Sequence, residues 1–188
     1  MKISQGAKTL AVPTPVWLVG TYDKDGKPNI MTAAWGGICN SIPPCIQVSL
    51  RHARHTYEAI EQRKSFTISI PGEKYWRESD YVGIVSGRDA DKFKDTGFTP
   101  VKSDLVDAPY VDECGMVIEC KLKETVDLGS HMLVVGEVMD LKVDEEMLTD
   151  GNPDIQLLKP IIYSMGDNGY HSLGEKIGPA FIQKTPPK

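Results

Sequence analysis

The sequence has no apolar run approaching the eighteen or so residues that a membrane span needs. Its start, "MKISQGAKTLAVPTP", holds only the short apolar patch "LAVP", too little for the core of a secretory signal. The expectation is a cytoplasmic chain with no membrane role. An excess of positive charge is also missing: 21 Lys and Arg face 26 Asp and Glu, for a net charge of -5. Without a basic face there is little to displace counterions, so nucleic acid is not expected as a partner. A local basic pocket remains compatible with that balance.

Several familiar catalytic signatures are absent. There is no G-x-S-x-G, no P-loop and no G-x-G-x-x-G, and no local pattern of Ser, His and Asp favours a nucleophilic triad. Cysteine is scarce, with Cys39, Cys45, Cys114 and Cys120 only. Both pairs lack the two-residue spacing of zinc ribbons and thioredoxin motifs. "CGMVIEC" reads as a strand, whose ends lie roughly 20 Å apart, so Cys114 and Cys120 cannot bridge. The four are read as ordinary buried or half-buried thiols. Cys45, His52 and His55 are a sparse metal set beside the simpler reading of two surface histidines, and no metal is expected.

Internal repeats and low-complexity segments are missing too. The 188 residues suit a single domain, with a core over about 10–175 and a tail over 176–188. Strand signals dominate what is there. Val16 to Tyr22 and a second strand from Asn29 flank a turn at Asp23 to Lys27, where Asp25-Gly26 accommodates positive φ. "IQVSL" (46–50) and "SFTISIP" (65–71) read as further strands. Between them "TYEAIEQRK" reads as a helix with Thr56 as N-cap. Residues 75–96 turn helical in two pieces, with Ser86 or Asp89 as a cap and Gly97 as a left-handed stop. "GMVIECKLKETVDL" and "HMLVVGEVMDLKVD" form a long hairpin around Gly129, and "PIIYSMGDNGYHSLG" adds a last strand and turn before the loose tail "KTPPK". Hairpin order with short helical insertions points to an antiparallel barrel, which leaves few unpaired edges.

Two stretches carry chemistry. "SLRHARHTYEAI" puts Arg51, Arg54 and His55 at the start of a helix, whose free N–H groups and dipole suit an anion. The alternative is a capped helix with solvated basic neighbours. "MTAAWGG" leaves the backbone of residues 31–37 open to a flat ligand, apart from Trp35. Its alternative is a close-packed corner of a barrel.

The ordered set "PVWLVGTYDKDGKPNIMTAAWGGICNSIPPCIQVSL", "RHTYEAI", "SFTISIPG" and "SGRDADKF" resembles the flavin reductase-like family of FMN-binding split barrels, and within it the flavoredoxin branch. The likeness covers about residues 10–175. It implies a mainly β fold with short α insertions, a six-stranded antiparallel Greek-key split β-barrel that forms a homodimer. It also implies FMN rather than FAD. Asn29, Met31, Thr32, Ala33 and Ala34 would meet the polar edge of the ring, with Trp35 beside it and Cys39 and Asn40 along the ribityl chain. Ser49, Leu50, Arg51, His55 and Thr56 would hold the phosphate, Lys92 would reach the flavin near the pyrimidine end of its ring, and His131 and Tyr163 would lie around the ring. Arg54 belongs to a more variable spacer and is not carried over. The cofactor would do the redox chemistry, so no catalytic side chain is invoked.

The implied function is electron transfer through a bound flavin, with a redox protein or NAD(P)H as partner. Two alternatives stand beside it: an NAD(P)H:flavin oxidoreductase using flavin as a diffusing substrate, and a non-enzymatic flavin store or sensor. No separate nicotinamide-binding domain is visible, so NAD(P)H would stack directly on the flavin.

Overall fold

A computed structural model describes residues 1–182; the tail "KTPPK" lies outside the described residues. The first strands are β1 (Thr14–Pro15), β2 (Trp17–Tyr22), β3 (Pro28–Ala33), β4 (Gly36–Ser41) and β5 (Pro44–Leu50). Helix α1 (His55–Arg63) leads to β6 (Ser65–Ser69), and a 3-10 turn to α2 (Trp76–Ile84) and α3 (Lys92–Thr96). The short β7 (Pro100–Lys102) and β8 (Pro109–Val111) pair with each other, and β9 (Met116–Asp127) with β10 (Met132–Val143) makes the long hairpin. The chain closes with β11 (Leu148–Thr149), β12 (Asn152–Pro153), α4 (Ile155–Leu158), β13 (Ile162–Ser164) and β14 (Gly169–His171).

The main sheet is antiparallel, in the order β3-β2-β6-β9-β10-β5-β4. It has seven strands, not the expected six. The addition is β4, whose "GGICNS" is small and mostly exposed, so it lacks the alternation that marks a half-buried strand. The two edge strands, β3 and β4, do not pair with each other. Only Ala34 and Trp35 separate them in the chain, and the Trp35 carbonyl accepts from the Ser49 N–H of β5 at 2.8 Å. The sheet is therefore curled into a barrel that stays split at this seam.

The β2–β3 turn forms as expected. Gly26 has φ +80°, and the Asp23 carboxylate accepts from the N–H groups of Asp25 and Lys27, both at 2.9 Å. Adjacent residues of this hairpin enter different cores. Val19 and Met31 join Val48, Ile60, Phe66 and Ile68 inside the barrel. Leu18 and Ile30 face Val82 of α2 and Phe93 of α3 in a second, outer core. Burying each such side chain contributes on the order of 1.5–3 kcal/mol. That outer core holds α2 and α3 against β3, and so brings the start of α3 beside the strand.

Helix α1 buries Thr56, Ala59 and Ile60, one face at helical spacing. Thr56 is not its N-cap: Arg54 occupies that position without a side-chain cap bond, because the Thr56 hydroxyl turns inward to Asn29. Neither Ser86 nor Asp89 caps α3; the Asp91 carboxylate does, accepting from the Lys94 N–H. Gly97 stops that helix at φ +75°, as expected. All four cysteines are free, and Cys39 is exposed rather than buried or half-buried. Cys114 precedes the strand that ends its motif at Cys120, in a turn closed onto Val111.

Candidate functional site

A cavity of about 310 Å³ opens at the N-terminus of α1. Met31 of β3 forms one wall and Ala53–Thr56 a second; Val85–Asp89 and Lys92 complete it. Three groups make it attractive to an anion. The first is the helix start itself, with unpaired N–H groups and the positive end of the dipole. The second is Arg54, half-buried at the lining. Third is Lys92, only 4% exposed.

The burial of Lys92 is held by two backbone acceptors. Its Nζ donates to Ile30 O at 2.9 Å and Val82 O at 2.8 Å, the two elements of the outer core. An ammonium has three donors, so one remains for a ligand. Burial, with a smaller contribution from the nearby Arg54 charge, pulls the Lys92 pKa down to about 8. A negative ligand would relieve both penalties.

Asn29 and Thr56 are buried together, with Asn29 Nδ2 donating to Thr56 Oγ1 at 3.0 Å. Asn29 Oδ1 and His55 Nδ1 are buried and have no protein partner. Buried polar atoms are ordinarily satisfied, so two orphans beside one cation-lined cavity fit a polar ligand. His55 Nε2 lies 3.9 Å from Asp23.

A second cavity, about 540 Å³, lies at the split seam and takes in Ala34, Trp35 and Ser49 with Gln47, Met165 and residues of the segment before β2. Trp35 is stacked on His131, centroids 4.8 Å apart and planes inclined by 24°, and its indole N–H meets Met165 Sδ at 3.4 Å. Met31 and Ala34 are separated by roughly 10 Å of strand.

The expected site residues therefore divide. Met31, His55, Thr56 and Lys92 line the first cavity, and Asn29 is bonded to it. Ala34, Trp35 and Ser49 line the second, with His131 against Trp35. Thr32 hydrogen-bonds the Ser79 carbonyl of α2, while Ala33 and Leu50 are in the barrel core. Cys39 and Asn40 are exposed on β4, where Asn40 Nδ2 donates to Pro43 O. Tyr163 pairs with Thr14 in a small sheet and donates to Asn168 Oδ1, lining neither cavity. Arg51 is exposed and outside the lining. The sequence reading put Lys92 near the ring; the structure groups it with Arg54 and the helix start.

Arg54, noted at the helix start but not carried over from the resemblance, lines this cavity, as do Arg88 and the rest of Ser86–Asp89, which were not among the expected site residues. For Arg54 the available signal was its place immediately before the helix. A turn closed by Arg54 N–H to Arg51 O at 3.0 Å sends the later arginine to the site and the earlier one to solvent. His52 turns away to Asp127 and Gly129 O, and no group of three metal-type ligands occurs among the described residues. Larger cavities of about 590 Å³ lie beside Trp76 and Tyr170, and along residues 173–178. Neither has the convergent cations, so charge chemistry rather than size selects the site.

Known proteins give the same picture of kinship. Residues 9–173 match the flavin reductase like domain. The solved flavoredoxin of Desulfovibrio vulgaris (Miyazaki F) is 52% identical, with a TM-score of 0.94 over 98% of this chain and 100% of that one. Flavoredoxin from Methanosarcina acetivorans is 31% identical, with a TM-score of 0.87 over 97% and 96%. An uncharacterized protein of Pyrococcus abyssi is 31% identical over 78% of this chain and 84% of its own length. No helix among the described residues is long and apolar enough to cross a membrane. With its split barrel and a match running through nearly the whole chain, this protein belongs to the flavin reductase-like family.

Proposed function

We propose that this chain is an FMN-binding redox protein of the flavoredoxin type, passing electrons through a flavin that it retains. The observation that carries the reading is the cavity at the start of α1, where Arg54, Lys92 and the helix N-terminus converge with His55, whose buried Nδ1 has no protein partner. An FMN phosphate suits that donor set, because arginine and N–H groups together satisfy its oxygens. Bound there, the flavin would supply the electron-accepting and electron-donating chemistry.

The protein's part is binding and electrostatics. Arg54 and Lys92 would hold the phosphate, and the Asn29–Thr56 bond fixes strand to helix beside the cavity. Trp35 and His131 wall the seam where the ring would lie, and Ala34 leaves room for it. The solved flavoredoxins support a flavin here. Retention is favoured over a diffusing flavin by the burial of Lys92 and by the Ser86–Asp89 segment along one side of the cavity. The electron partner is a redox protein or NAD(P)H.

A homodimer belongs to the same reading. Ile38 and Ile42 of the β4–β5 hairpin are 85% and 90% exposed, an apolar edge that a second copy would cover. Cys39 and Asn40 would then lie at the subunit interface. Four free thiols suit a reducing compartment such as the cytoplasm.

The test is a visible spectrum after FMN addition and desalting, followed by anaerobic NADH or NADPH. Retained flavin that bleaches only with a chemical or protein reductant supports the carrier. Retained flavin that bleaches promptly with NAD(P)H makes it a reductase. Flavin that washes away removes the retained-cofactor reading.

A further inference from the structure

Ser86–Asp89 forms one side of the cavity, and among the described residues a single side chain, Arg88, hydrogen-bonds it to another element. Within Ser86–Asp89 the bonds are local: the Arg88 N–H meets Ser86 Oγ at 3.2 Å, and the Asp89 N–H meets Ser86 O at 3.0 Å. Arg88 Nη2 donates to Glu58 Oε2 at 2.9 Å and Nη1 to Ala53 O at 3.1 Å. Both acceptors belong to α1 or the turn before it. Gly87 is pressed against the site: a methyl group there would stand 2.1 Å from Asn29 Oδ1 and 3.0 Å from the His55 ring.

We propose that the Arg88–Glu58 pair is a latch that keeps Ser86–Asp89 against the cavity and sets how slowly a bound flavin leaves. This rests on the flavin reading of the site. Arg88 is here a positioning residue, fastening one side of the cavity. Glu58 is outside the cavity lining, on the exposed face of α1. That separates two accounts by sign. If Glu58 acted only as a nearby negative charge, removing it would strengthen the hold on an anionic ligand. If it is the anchor of a latch, removing it speeds release.

The experiment measures flavin release from loaded protein by recovery of flavin fluorescence on dilution. Wild type, Glu58→Ala, Glu58→Gln and Gly87→Ala are compared, with FMN and with riboflavin. Both Glu58 variants are expected to release either flavin about three- to fivefold faster, the scale of a half-exposed ion pair. Amide exchange at Asp89 and Ala90 should quicken with them, in flavin-free protein as well. Gly87→Ala, which denies the segment its close approach, should also release faster. Unchanged or slower release from flavin-loaded Glu58 variants overturns the latch and leaves the flavin reading standing. A wild type that holds neither FMN nor riboflavin overturns both.

Discussion

Asn29 of β3 and Thr56 of α1 meet in a buried hydrogen bond, Nδ2 to Oγ1 at 3.0 Å, that ties the barrel edge to the first turn of the helix. The bond spends one end of the Asn29 carboxamide and leaves Oδ1 without a protein partner. It also explains why a threonine suited to capping does not cap. Its hydroxyl is used inward, as the link between the two elements that frame the cavity.

Replacing Thr56 with Val should therefore do two things. It keeps the shape but strips the acceptor from a buried amide, at a cost of about 1–3 kcal/mol in stability. It should also weaken flavin binding, since the helix start is no longer fixed to β3. Thr56→Ser should restore both. Chemical denaturation and flavin titration of the two variants check this.

The two arginines of "RHARHT" are expected to separate cleanly. Arg54→Ala should weaken FMN by about tenfold or more, the scale of a lost charged hydrogen bond, and leave riboflavin nearly unchanged. Arg51→Ala should change neither by more than about twofold, given the weakness of exposed charges. Isothermal titration with both flavins measures this. A larger loss from Arg51 than from Arg54 would reverse the assignment.

Lys92 gives the site a pH dependence. Its pKa, lowered to about 8 by burial and by Arg54, means that flavin-free protein sheds this proton as pH rises through that value. FMN affinity should then fall above about pH 8, because binding must restore the proton while the phosphate is already a dianion. Stability of the flavin-free fold should move the other way. Between about 8 and the ordinary lysine value of 10.5, the unfolded chain holds the proton that the fold has lost, so stability rises with pH. Lys92→Met should flatten both dependences, and titrations between pH 7 and pH 10 would show it.

The barrel core offers a control that does not involve the site. Phe66 is fully buried among Val19, Val48 and Ile68. Phe66→Ala should cost about 3–5 kcal/mol, read by denaturant unfolding. A loss below 1 kcal/mol would mean that the barrel is packed differently.

Much of this architecture was legible because its signals are local. The β2–β3 hairpin announces itself through Asp25-Gly26, and the long hairpin through apolar strands around Gly129. Strand β4 was illegible because its residues face solvent, so burial imposed no pattern on them. The resemblance named His55, Thr56 and Lys92, which the structure brings together around one cavity, and the charges before α1 drew attention to the helix start. Arg54 was passed over because a turn of three residues decides which arginine faces inward, and composition does not encode that direction. That Ser86–Asp89 borders the cavity was not foreseen for a similar reason. Ser86–Asp89 has no periodicity, and it matters only through contacts with Asn29, Ala53, His55 and Glu58, far away in the chain.

The central claim is that the cavity at the start of α1 holds the phosphate of a flavin. Titrating FMN and riboflavin into the same flavin-free protein at neutral pH tests it most directly. FMN is expected to bind at least about tenfold more tightly, one charge-assisted contact's worth of free energy. Equal affinities, or no binding of FMN at all, would contradict the account.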